Sequence, residues 1–125
     1  MKIIIETIPG NMQRYKTPGD WFRDKDGTLH IKVSCMGNQD YEVLVAIHEL
    51  VETLLCEHRG IKEEDIADFD IKFEENRKEG NEDEPGDDDA AMYRAEHLFA
   101  TGIEKLMASE LGVNWNAYSK AVMEA

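Results

Sequence analysis

The stretch at residues 40–60, DYEVLVAIHELVETLLCEHRG, constrains this chain more than any other. Val43, Leu44, Ile47, Leu50, Val51, Leu54 and Leu55 recur at helical spacing and give a helix with one apolar face. Asp40 is the expected N-cap, because its carboxylate can accept from free N–H groups of the first turn. Gly60 stands where a C-terminal stop belongs. Within the helix runs His48-Glu49-Leu50-Val51-Glu52. Residues four apart share a helix face, so His48 and Glu52 can reach one common atom, which points to a metal site.

A chain of 125 residues implies a single domain, 1–125, with a modest core. No apolar run approaches ~20 residues, which excludes a membrane-spanning helix. The start, MKIIIETIPG, has only three consecutive isoleucines, too short a run for a secretory signal, so a cytoplasmic protein is expected. Cys35 and Cys56 form no metal-type pair and read as reduced thiols. The net charge of −13 is concentrated: residues 62–89 hold fourteen acids against four bases. That excess opposes binding to nucleic acid or to an anionic membrane and suits divalent cations or a basic protein partner. For the segment itself it implies a solvated, repulsive surface.

Before the central helix, residues 2–8 read as a β-branched strand ended by Pro9-Gly10. Residues 21–23 and 28–34 read as two strands of a hairpin turned at Asp26-Gly27, with Leu29, Ile31 and Val33 facing inward. Read as a calcium loop instead, the same turn puts Phe22 and Val33 at ligand positions, and neither can coordinate calcium. After Gly60 the pattern predicts a short helix at 62–68, then a piece compatible with helix or strand. Residues 80–88 read as a mobile acidic loop around Pro85-Gly86. A second long helix is expected at 90–111, capped by Asp89, with Met92, Ala95, Phe99, Gly102, Ile103 and Leu106 as its buried stripe. Asn114 caps a last short helix. The expected class is α+β: a small antiparallel N-terminal sheet of two or three strands packed on two long helices.

At 100° per residue, His48 and Glu52 fall on an edge of the first apolar stripe, and His58 falls near its middle. On the second helix Glu96 falls inside the stripe, while Tyr93, His97 and Glu104 line its flank. A carboxylate in an apolar stripe needs a partner, and His48, His58, Arg59 or a metal could supply one. If the two helices pack face to face, His48, Glu52, Glu96 and His97 become the candidate metal ligands. Such an N/O set suits zinc, manganese or iron.

The run His48-Glu49-x-x-Glu52, on a helix that follows a small sheet, resembles the H-E-x-x-H helix of zincin-type metallopeptidases. That resemblance implies zinc bound by His48 and a general-base role for Glu49, with Glu52 standing where the family has its second histidine. Both long helices also resemble those of small phage- and prophage-encoded proteins. Glu49 and Glu52 resemble half of the magnesium motif of MazG-type pyrophosphohydrolases, but the second helix lacks that family's E-x-x-D. Two functions follow from these readings. One is a divalent-metal-binding protein, acting as a metal-dependent hydrolase in its enzymatic form. The other is an acidic interaction protein for a basic partner.

Overall fold

The computed structural model describes residues 1–125. A three-stranded sheet at the N-terminus, β1 (Ile3–Ile8), β2 (Gly19–Arg23) and β3 (Leu29–Ser34), packs against four helices. These are α1 (Gln39–His58), α2 (Glu63–Glu75), α3 (Arg94–Glu110) and α4 (Trp115–Glu124). The fold is α+β, as the sequence predicts.

The sheet is mixed rather than antiparallel. β2 and β3 form the expected antiparallel hairpin, but β1 pairs parallel to β3 and leaves β3 in the centre. Two residues at the Asp26-Gly27 turn can reverse a chain, whereas the ten residues between β1 and β2 cross over and return the chain on the far side of β3. Leu29, Ile31 and Val33 point inward, as their alternation requires, and join Val45, Ala46 and Cys56 of α1 in one apolar core. Gly19 brings β2 onto α1. A Cβ there would stand 2.8 Å from both Glu49 and Val45, so the strand approaches only because the position is bare.

The cap of α1 lies two residues before the expected one: Asn38, not Asp40, accepts from Tyr41 N–H, at 3.1 Å. Gly60 leaves the helix at φ 73°, a left-handed conformation that costs glycine little. Helix α2 runs on to Glu75. The alternation of Phe69, Ile71 and Phe73 is therefore incidental, and Ile71 is exposed. Helix α3 begins at Arg94 after a Tyr93 cap, because residues 85–87 form a 3-10 turn and residues 88–93 a loop. Asn114 caps α4 by accepting from Ala117 N–H.

The largest correction concerns α3. Its buried residues are Glu96, His97, Ala100, Glu104 and Ala108, with Tyr93 just ahead of them. Met92, Phe99 and Leu106, expected inside, are exposed. The flank marked by Tyr93, His97 and Glu104 is the face that turns inward.

Candidate metal centre

Helix α1 runs antiparallel to α3, so His48 meets Glu104, Glu52 meets His97 and Arg59 meets Glu96. His48 and Glu52 are both buried rather than at a half-exposed edge. One oxygen, Glu52 Oε2, sits 2.9 Å from His48 Nε2 and 3.1 Å from His97 Nδ1. Those two nitrogens are 3.2 Å apart.

The far nitrogen of each imidazole meets another carboxylate. His48 Nδ1 lies 2.7 Å from Glu104 Oε1, and Tyr118 OH donates to the other oxygen of Glu104. His97 Nε2 lies 3.1 Å from Asp87 Oδ1 and 3.3 Å from Glu84 Oε2. Metal-binding histidines commonly carry this outer carboxylate, which fixes the tautomer and aims the inner nitrogen.

The spacing of the inner atoms can be tested against a metal. Zinc–nitrogen bonds are about 2.0–2.1 Å, which sets two tetrahedral ligands ~3.3 Å apart. The observed triangle of 2.9, 3.1 and 3.2 Å is close to that. His48, His97 and Glu84 form a second triple of donors, all within 4.8 Å of one another. Both triples share the two histidines. The donor set therefore fits zinc, manganese or iron.

In the metal-free protein the cluster is held by protons. Burial alone would lower the pKa of His48, but its hydrogen bonds to Glu104 and Glu52 outweigh burial and raise it well above the ordinary value. Burial also opposes protonation of His97, yet Asp87 and Glu52 lift its pKa to about 10. Burial would raise Glu52, but hydrogen bonds to His48 and His97 bring it down to about 2. The metal-free centre is two imidazolium ions clamped by carboxylates, and a divalent cation carries the same total charge.

The centre opens on a cleft of about 370 Å³, lined by residues of the sheet, all four helices and the 3-10 turn. Glu49 lies in this cleft beside Gly19. Burial, and then repulsion from Glu52, push its carboxyl well above the usual range. Asp70 of α2 lines the cleft too. It accepts from Tyr93 OH and, at 3.4 Å, from Tyr15 OH, and burial raises it to about 7. The lining holds ten carboxylates against three lysine and arginine side chains. Six of the fourteen acids of residues 62–89 line the cleft.

Of the residues singled out by sequence, His48, Glu52 and His97 come together and Glu49 lies beside them. Glu96 does not join them. It is buried as expected, but Arg59 Nη1 donates to its Oε2 at 2.6 Å. His58 is exposed near the C-terminal end of α1. Sequence reasoning missed Glu84 and Asp87, because residues 80–88 read as solvated loop. Instead the Glu84 and Asp87 side chains form a reciprocal capping box around the turn. Gly86 packs under His97, where a Cβ would stand 2.3 Å from His97 Cγ. The Pro85-Gly86 pair beside acids was the one available signal.

No family model, curated protein or solved structure matches this chain.

Proposed function

We propose that the protein binds one divalent metal ion through His48, His97 and Glu52, and that it acts as a metal-dependent hydrolase. The observation that carries this reading is the geometry of the two imidazoles. Their inner nitrogens converge on one carboxylate oxygen while their outer nitrogens are each held by a carboxylate. Bound there, such an ion supplies a Lewis acid and lowers the pKa of its water. Glu104 and Asp87 keep the two rings in one orientation. Glu49 is the general base: it lies next to His48 in the chain, lines the same cleft and binds a proton unusually well for a carboxylate. The acidic lining favours substrates without negative charge.

Metal analysis of tag-free protein, followed by melting with zinc or manganese chloride, tests the binding. Metal should raise the melting temperature by mass action, about 2.7 kcal/mol at a hundredfold excess over Kd. His48→Ala with His97→Ala should abolish the rise; a rise that survives contradicts the site. Glu49→Gln should keep the rise and remove any metal-dependent cleavage of a labelled peptide library without acidic residues.

A further inference from the structure

Most carboxylates that line the cleft already have a cation. Arg14 pairs with Asp20 and Glu63, and Arg77 pairs with Glu74. His48 and His97 serve Glu52, Glu104, Asp87 and Glu84. Four carboxylates on two imidazoles leave that seam no positive charge to spare, and a divalent ion in place of two protons leaves the same balance. Glu82 is exposed to water. Two carboxylates remain, Glu49 and Asp70. Both are set into the cleft wall, where burial is the largest influence on each, and neither belongs to an ion pair. The two lysines of the lining, Lys16 and Lys105, are exposed and pair with no carboxylate; Lys105 rests over the Trp115 ring.

Asp70 is held in place without being neutralised. Tyr93 OH donates to its Oδ1, and Tyr15 OH donates to its Oδ2 at 3.4 Å. The two phenols fix the direction of the carboxylate and bring no positive charge. Each oxygen keeps a free lone pair, because an ionised carboxylate has about four accepting sites. A buried carboxylate without a cation is costly, and burial accordingly lifts Asp70 to about 7. Tyr15, Trp21 and Tyr93 line the same cleft. A carboxylate among aromatic rings is the chemistry that recognises an organic cation.

We propose that Asp70 receives a cationic group of the substrate, a primary ammonium or a guanidinium, while the bond to be hydrolysed lies at the metal. The inference rests on the metal-dependent hydrolase proposed above and names the charge its substrate carries. Tyr93 sets the spacing: its hydroxyl is on Asp70, and its ring stands perpendicular to that of His97, 6.1 Å away. The cation and the metal are thus about one side chain apart. The cleft of about 370 Å³ is near the lower end of the roughly 300–1,000 Å³ of small-molecule sites, so the substrate is small, of the size of a single basic amino-acid derivative. Glu49 remains free to act as the base, and its charge favours the same cation.

Isothermal titration of the full chain, once zinc-loaded and once in EDTA, compares N-acetyl-lysine amide with N-acetyl-norleucine amide, which lacks the ammonium. The lysine amide should bind about 10-fold or more tighter in both forms, the size of one charge-assisted hydrogen bond. Asp70→Asn should reduce that preference to about 3-fold or less and leave the zinc stoichiometry unchanged. Because Asp70 has no cation in the fold, the variant should keep the wild-type circular dichroism spectrum. In wild-type protein, nuclear Overhauser effects from the ligand's ε-methylene should reach the Tyr15 and Tyr93 rings, which locates the amine without any substitution. Equal binding of the two amides, an undiminished preference in Asp70→Asn, or Overhauser effects confined to other residues overturns the proposal. Failure of zinc to bind, with the preference and its loss in Asp70→Asn intact, supports the cation site and overturns the metal reading alone.

Discussion

Toward the sheet, α1 contributes Val45, Ala46 and Cys56 to a core with Leu29, Ile31 and Val33. Toward α3, the same helix presents His48 and Glu52 to His97 and Glu104. Both faces are buried, yet they do different work. Apolar burial stabilises by roughly 25 cal/mol per Å². Buried ion pairs return little net stability against apolar side chains of similar volume. Such a seam adds little to folding stability, in keeping with the metal site proposed above. The comparison teaches that burial in this chain marks two things, and that chemistry tells them apart.

The comparison breaks most visibly on the sheet side. Ile31→Ala removes a fully buried side chain from the central strand and should cost about 2–5 kcal/mol in urea unfolding. It should leave the metal-induced rise in melting temperature intact. On the seam side, Glu52→Gln should cost about 1.5–3 kcal/mol in metal-free protein, because two imidazolium ions lose their shared counter-charge. It should also weaken zinc binding about 10-fold or more. If Ile31→Ala abolishes the metal response, or Glu52→Gln leaves it alone, the two faces are not separable.

Gly86→Ala sharpens the boundary of the site. The new Cβ must displace His97, so we expect a loss of about 1–3 kcal/mol and weaker zinc binding. Full zinc affinity in this variant would place the 3-10 turn outside the centre. Glu82, two residues before Glu84, is exposed, and Glu82→Ala should stay within about ±0.5 kcal/mol.

Acidity separates the faces as well, because the seam and cleft hold carboxyl and imidazole groups with shifted pKa values. In chelated protein, His97 is raised from 6.5 to about 10, so its contribution is complete below pH 6.5 and is lost as pH rises through about 10. Asp70, raised from 3.8 to about 7 by burial, gives a contribution lost over that interval. Glu52, held down to about 2 against burial by the two histidines, contributes above 4.5 and loses this as pH falls through about 2. The urea midpoint of metal-free protein should therefore be higher at pH ~5.5 than at pH ~8.5. An equal or higher midpoint at the alkaline pH would show that the imidazoles are not clamped as described.

What the sequence disclosed follows the same division. The central helix, the hairpin and the inward face of β3 were legible because apolar periodicity and Asp26-Gly27 are local signals. The partner of β1 was not, since parallel pairing is decided by a crossover rather than by any residue in the strand. His48, Glu52 and His97 were found because they recur on helix faces. Periodicity misplaced α3 for a physical reason. It equates apolar with buried, and here a polar cluster occupies the interior while Phe99 and Leu106 face out. Glu96 misled likewise, since its partner is Arg59 rather than the centre. Glu84 was hidden in a stretch whose composition looked solvated.

The central claim is that His48 and His97 give up protons to hold a metal between them. Calorimetric titration of tag-free protein with zinc chloride at pH ~7, in two buffers of different ionisation enthalpy, measures stoichiometry and proton release together. We predict one zinc per chain and about two protons released, both lost in His48→Ala with His97→Ala. No binding heat, or binding that persists unchanged in that variant, would contradict the account.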